Sequence, residues 1–368
     1  MQLIGPPFGT GKDGYLTTSG TQDVNTRTAC SGSSGATTLT VTSSSGFADR
    51  DLVMIHKSRG TTTTTCGTWE MNRLKGTPGG TTFYLDFPLA AAYQNSGANL
   101  SQVIRVPEYL NVLVPSATTL APTGWGGVTG GITVFACSGL TKVIGSISAN
   151  ALGFRGQPAE GNNSNSPGGA GEGTVGMYTG WLGVPNNNGS GGGGGAACNS
   201  SFGGAGGGGN GSAGNAGKTG WAGSLSGDAT LATMTFGGGG GGISHDSPNG
   251  TGSGGNGGGI IVIFSKRLIV TGTISTTGGT STAFSGSESS SGGGGAGGSV
   301  LIKSIDANFG SSLVTATYGT AASTSCTGGN GAYGRVRIEA NTLSGSTSPA
   351  YSSYAALVPW GGGVGIQG

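Results

Sequence analysis

The sequence predicts an all-β fold: an N-terminal β domain followed by β-solenoid-like rungs, with a polyglycine II helix bundle inserted among them. Three observations lead there. Short runs rich in β-branched and aromatic residues recur along the chain, several of them align as an internal repeat, and glycine fills 84 of 368 positions, roughly three times ordinary usage. No segment carries a convincing amphipathic helix pattern.

Residues 1–125 are rich in Thr and Ser and contain the runs "TTLTVTSSSGFADRDLVMIH", "GGTTFYLDFPL" and "SQVIRVPEYLNVLV". Alternating runs of this length, separated by Gly, Pro and Asn turns, predict a compact β domain, here expected to serve attachment.

The internal repeat begins after that. "GGITVFACSGLTKVIGSISANA" from Gly130, "GGIIVIFSKRLIVTGTISTTGG" from Gly258, "GGSVLIKSIDANFGSSLVTATYG" from Gly297 and "YGRVRIEANTLSGSTSPA" from Tyr333 align with one another. Each reads as glycine, a β run, a turn and a second short β run, with apolar residues alternating as at Val300 and Ile302 or Val336 and Ile338. Units that cannot bury their apolar faces alone must stack, which predicts rungs at 126–165 and 260–368, the latter ending in the Gly-rich tail "WGGGVGIQG".

The tract 166–259 holds most of the glycine. In "GGNGSAGNAGKTGWAG" glycine stands at 208, 211, 214, 217, 220 and 223, every third position. A polyproline II helix has three residues per turn, so one edge of it would be bare and neighbouring backbones could approach closely. Such a helix has no internal hydrogen bonds, and ordering glycine is costly, so the tract orders only as a bundle of hydrogen-bonded helices. A flexible linker is the simpler alternative, and the unbroken phase weighs against it.

Charge and motifs remove several functions. The 16 basic and 14 acidic residues are scattered, leaving a net charge of +2 and no patch for nucleic acid. No apolar run is long enough to cross a membrane, so no membrane insertion is expected. The start "MQLIGPPFGTGKDG" shows neither a basic nor an apolar leader region, so the expectation is either assembly in the cytoplasm of the producing cell or a sequence that is not the secreted precursor, with an extracellular or cell-surface location as the alternative. "GNAGKTG" fails as a phosphate loop because Ser212 occupies the first glycine position. With His56 and His245 the only histidines, no metal site is expected, and no cofactor. Cys30, Cys66, Cys137, Cys198 and Cys326 form no metal or redox motif; one or two disulfides stay open beside the simpler reading of buried thiols.

Glycan hydrolysis needs two carboxylates at a defined separation. Asp49, Asp51, Glu70, Asp86 and Glu108 lie in the N-terminal part, whereas Glu160, Glu172, Asp228, Asp246 and Glu288 sit isolated among glycines. Nothing in their spacing singles out a pair, so the chain is expected not to be an enzyme. The candidate receptor-binding residues are those the glycine tract displays: Tyr178, Trp181, Asn186, Asn187, Asn188, Phe202, Lys218, Trp221, His245 and Asp246. Aromatic rings and amides on held loops suit sugar faces and hydroxyls, or protein surfaces; the alternative is that the aromatics form the core of the bundle.

The ordered set "DGYLTT", "SQVIRVPEYLNVLV", "LAPTGWGGVTGGITVFA", "GSISANALGFRG", "GGIIVIF" and "YGRVRIEANTLSG" resembles a widespread class of glycine-rich bacterial and phage surface proteins. The tract between Gly168 and Gly259 also resembles the distal tail-fibre adhesins of T-even-like phages, which present variable loops at the tip of a polyglycine II bundle. That second resemblance implies a non-enzymatic virion adhesin, in a tail fibre or tail tip. Its implied partners are a host surface glycan or outer-membrane protein, other tail, baseplate or fibre proteins, and further copies of itself. A subunit of a bacterial extracellular filament or coat is the alternative, and a polysaccharide depolymerase a third reading.

Overall fold

The four aligned repeats become neighbouring strands in register. Ile132 pairs with Ile260, Ile260 with Ser299 and Ser299 with Arg335, and each of these residues lies two positions beyond the start of its repeat. The computed structural model describes residues 7–61, 65–158, 160–161, 168–175, 189–192, 203–245, 252–283, 290–324 and 326–354. It is all-β, with no helix among the described residues.

The principal sheet is parallel and curls on itself. One arm stacks Tyr15–Thr17, Asn111–Val114, Ile132–Val143 and Ile260–Val270. The other stacks Thr21–Gln22, Thr119–Leu120, Ser146–Ser148 and Thr273–Ser275. Ser299–Thr315 is long enough to pair with both arms, and Arg335–Ser348 lies against it. Two rungs thus come from the first 125 residues, where strands such as "YLT" and "TL" are too short for an alternating pattern to show. The composition change near residue 125 is therefore no boundary between sheets.

Between those first two rungs the chain builds a six-stranded antiparallel sheet, ordered Trp69–Arg73, Leu52–Arg59, Leu100–Arg105, Arg27–Ser31, Thr38–Val41, Thr82–Tyr84. It packs on the outer face of the parallel sheet. Leu52, Met54, Trp69, Met71 and Ile104 meet Ile132, Val134, Ile260, Val262 and Leu301 in one core. Inside the curl, Phe135, Ile261, Ile263, Val300, Ile302, Val336 and Ile338 close on Ile147 and Ile274 of the other arm. Val53, Ile55 and Val103 turn to a third core with Leu39, Phe83 and Tyr93. Strands covered on both faces read as continuous apolar runs, which is why "GGIIVIF" and "DLVMI" are so uniformly hydrophobic.

Where the rungs turn from one arm to the other, backbones stack directly. A Cβ at Gly272 would lie 2.0 Å from the Gly145 carbonyl oxygen, and one at Gly345 would lie 2.4 Å from that of Gly310. Gly310 and Gly345 also have φ of +58° and +125°, a region that favours glycine.

The long connections between rungs carry the glycine. From Gly237 to Gly242 successive amides donate to Gly258, Gly209, Glu172, Gly255, Gly206 and Gly169. The partners rotate among three neighbouring segments and recur every third residue, stepping backwards by three along each neighbour. A β-strand alternates between two neighbours instead. Gly207, Gly208 and Gly209 likewise donate to Asn215, Gly294 and Ser190, on three different segments. The spacing is tight: a Cβ at Gly238 would come within 1.8 Å of the Ser190 carbonyl oxygen.

Candidate functional site

Two of the described candidate residues, Lys218 and Trp221, lie on one arm-and-return of the glycine-rich body. Residues 211–217 and 220–226 run antiparallel, joined by Gly217 N–H to Gly220 O and Gly214 N–H to Gly223 O, both 2.9 Å. Lys218 and Thr219 form the turn between them. Glycines 214, 217, 220 and 223 face inward, so the residues between them stand at the surface. The triplet phase of the sequence is thus the phase of burial.

Trp221 is 51 % exposed and Leu225 56 %. The backbone beneath Trp221 is held on both sides. A Cβ at Gly220 would be 2.3 Å from the Gly206 nitrogen, one at Gly223 would be 2.3 Å from the Ser190 oxygen, and the Trp221 carbonyl itself presses on Gly206. An aromatic ring open to solvent on so fixed a backbone requires no ordering of its main chain when something binds, which lowers the entropic cost of binding. Lys218 is exposed at the adjacent turn, with Nζ 3.7 Å from Sγ of Cys326. On a neighbouring segment Tyr333, 43 % exposed, meets Tyr318 edge to face at 5.0 Å between ring centres.

Of the remaining sequence candidates, Tyr178, Trp181, Asn186, Asn187, Asn188, Phe202 and Asp246 lie outside the described residues. His245 belongs to a short strand with Ser244 that pairs with Glu160–Gly161. The structure therefore places Lys218 and Trp221 on one hairpin, with Leu225 exposed on the same arm and Tyr333 exposed on a segment that pairs with Gly211, two residues that sequence reasoning passed over. The signal for Leu225 was available: it falls between the inward positions 223 and 226.

Several of the described acidic residues are engaged in structure. Glu172 is fully buried, with Arg59 Nη1 at 2.7 Å from Oε1, and Arg155 Nε at 2.9 Å and Trp125 Nε1 at 3.0 Å from Oε2. Burial would raise its pKa, but the hydrogen bonds and charge of Arg155 and the Trp125 N–H outweigh it, so the carboxyl stays below its usual range. This one side chain ties the antiparallel sheet, the entry to the third rung and the glycine body together. Read in sequence it was an isolated acid in "GEG"; its partners come from positions 47 and 113 residues away.

A second network joins Arg73, bidentate on Glu108 at 2.7 and 2.8 Å, to Asp13, Asp51, Arg105 and Lys12. Asp86 pairs with Arg50 at 2.7 Å. Glu70 is raised by burial although it accepts the Ala90 and Ala91 amides.

His56 is wholly buried in a strand of the antiparallel sheet. Its Nε2 lies 2.8 Å from the Met234 carbonyl oxygen, which can only accept, so Nε2 carries the proton. Nδ1 then accepts from Ser58 Oγ at 3.0 Å, and Ser58 accepts from Gln102 Nε2 at 2.9 Å. Desolvation lowers the His56 pKa to about 4, against a smaller opposing effect of the Met234 carbonyl.

Cys30, Cys66, Cys137 and Cys326 are buried free thiols, and Cys198 lies outside the described residues. Among the described residues no three His, Cys, Asp or Glu side chains converge on a metal position, and no helix is long and apolar enough to cross a membrane.

No protein-family model and no curated protein matches the chain. Among solved structures it is similar to the Gp54 tailspike of Acinetobacter baumannii bacteriophage AP22 in complex with A. baumannii capsular saccharide. The identity is 9 % over 92 % of this chain and 56 % of that one, with a TM-score of 0.20. It is also similar to the tailspike protein gp49 from Pseudomonas phage LKA1, at 12 % identity over 91 % of this chain and 65 % of that one, with a TM-score of 0.19. The chain thus spans between 56 % and 65 % of the length of these tailspikes. Both being tailspike proteins, one of them holding a capsular saccharide, the expectation of a chain without enzymatic activity is corrected and dropped.

Proposed function

We propose that the chain is a phage tail receptor-binding protein, displayed on the virion surface, that binds a saccharide of the host cell surface through the face around Trp221. The observation that carries this reading is the exposed indole on a backbone locked by glycine contacts. An indole face offers apolar surface to the C–H face of a sugar ring, while the amides of residues such as Asn215 on the adjoining arm suit its hydroxyls. The complex of one similar tailspike with capsular saccharide points the same way.

The support for this face is, in our reading, an array of polyglycine II helices. The rotation of hydrogen-bond partners through three neighbours from Gly237 to Gly242 is what a threefold helix requires. The absence of side chains on the inward edges lets the helices approach closely enough to bond. The resemblance of this tract to the tail-fibre adhesins of T-even-like phages is consistent with that array.

The test is labelling of a panel of encapsulated bacteria, and of their capsule-deficient derivatives, with the fluorescent full chain. Labelling should depend on the capsule and fall at least about tenfold in Trp221→Ala, the loss of a central aromatic anchor. Equal labelling of capsule-free cells, or undiminished labelling by Trp221→Ala, would refute the assignment.

A further inference from the structure

We infer that Lys218 and Cys326 form a covalent Nζ–Sγ bond, a sulfenamide, when the protein meets a peroxide, and that this bond fastens the turn before Trp221 to the segment leading to Tyr333. The Lys218 Nζ lies 3.7 Å from the Cys326 Sγ, across 108 residues of sequence. Cys326 is a free thiol and 3 % exposed. Two of the other thiols are placed differently: Cys66 Sγ faces the Ser58 carbonyl oxygen at 3.3 Å, and Cys137 Sγ faces that of Leu110 at 3.5 Å. An amide carbonyl does not attack an oxidised sulfur, whereas an amine nitrogen does once it has released its proton. The pair at Cys326 is therefore set for a chemistry that those two thiols are not.

Both residues are anchored on one backbone that runs between them. The Gly204 carbonyl accepts from the Thr219 and Gly220 amides at 3.4 and 2.9 Å, and the Ala205 carbonyl accepts from Gly329 at 2.8 Å. A Cβ at Gly204 would stand 2.2 Å from the Thr327 oxygen, so the residue after Cys326 presses on the same glycine. The Cys326 carbonyl is itself held by the Ser291 amide at 3.4 Å. With these backbones in contact, only the flexible lysine stem has to move, and the reaction between the two side chains is a unimolecular step. The sulfur is covered, but the lysine that touches it is exposed, so a molecule as small as a peroxide reaches it along that stem. The peroxide takes two electrons from sulfur, turning the thiol into a sulfenic acid and leaving one water. The Lys218 amine, its ammonium proton given to solvent, then forms the N–S bond as the S–O bond breaks. The departing hydroxyl leaves with one amine hydrogen as a second water, so the linked product is two hydrogens lighter than the thiol and the amine.

The experiment treats the native full chain with hydrogen peroxide, denatures it in the presence of dimedone to capture any sulfenic acid, and maps the peptides by mass without reductant. The parent should yield the peptides of Lys218 and Cys326 joined and two hydrogens lighter than their sum, and a thiol reductant should separate them. Lys218→Arg keeps the positive charge but has no amine to condense; it should give no joined peptide and a dimedone adduct at Cys326 instead. Because the bond closes a long span of chain, the oxidised parent should also show a higher denaturation midpoint than the untreated parent, and oxidised Lys218→Arg should not. The mapping of the parent decides the matter whether or not the variant folds. A dimedone adduct at Cys326 in the parent with the peptides unjoined overturns the inference. So does a Cys326 thiol that peroxide leaves intact, a link from Cys326 to Cys198 in place of Lys218, or a joined peptide that persists in Lys218→Arg.

Discussion

Substituting Gly238 by alanine tests whether the glycine-rich body is a packed element. Gly238 is buried, its amide donates to Gly209 O at 3.0 Å, and its carbonyl accepts from Ala296 at 2.9 Å. An added Cβ would stand 1.8 Å from the Ser190 oxygen and 2.6 Å from its carbonyl carbon. Those atoms are backbone and cannot rotate away, so two segments must separate by more than an ångström. Overpacking of this kind costs about 1–3 kcal/mol, and a buried backbone group that loses its partner adds about 1–3 kcal/mol. The expected destabilisation is therefore about 2–6 kcal/mol, read as a lower midpoint in chemical denaturation. Gly214→Ala, 2.3 Å from the Gly207 oxygen, should move the same way. Gly79→Ala is the control: its Cβ meets nothing within 4 Å and its φ is ordinary, so its midpoint should stay or rise slightly through reduced freedom of the unfolded chain. A Gly238→Ala protein as stable as the parent would refute the argument, because a flexible tract would accept the methyl group without cost.

Three other outcomes are expected. His56 titrates at about 4 when folded and near 6.5 when unfolded, so its contribution is intact above pH 6.5 and is lost as pH falls towards 4, by about 3 kcal/mol in all. A His56→Gln protein should show a flatter fall in denaturation midpoint over that interval; an identical slope would contradict the assignment. Glu172→Ala leaves Arg59 and Arg155 facing a buried void, and a broken buried pair costs about 3–5 kcal/mol, measurable by denaturation and expected to exceed the effect of removing the exposed Arg267–Asp306 pair. Finally, the thiols of Cys30, Cys66, Cys137 and Cys326 should resist an aqueous thiol reagent in the native protein and react once it is denatured. Burial raises Cys66 to about 12 and Cys30 further still, and fast native reaction at either would show that the cores are open.

What was legible in the sequence were periodicities. The four repeats begin at Gly130, Gly258, Gly297 and Tyr333, and the strands pair at a constant offset from those starts, because a parallel stack keeps equivalent residues level. The triplet phase of glycine from 211 to 223 marks which residues turn inward, and so which neighbours, Lys218 and Trp221 among them, stand outside. Periodicity is a local property, set by how many residues make one turn of backbone, and it survives without any knowledge of partners.

Tertiary structure decided everything that depends on which segments meet. The strands "YLT", "TQ" and "TL" are too short to announce themselves, and they become strands only because neighbouring rungs offer them a ladder, at Asn111–Leu113 for the first and at Thr119–Leu120 and Ser146–Ile147 for the others. Glu172 read as an isolated acid and is a junction, since Arg59, Trp125 and Arg155 reach it only after the sheets have packed. The rotation of the Gly237–Gly242 amides among three neighbours is likewise invisible in six identical letters: a glycine run encodes no partners of its own, and its hydrogen bonds are assigned by the segments that close around it.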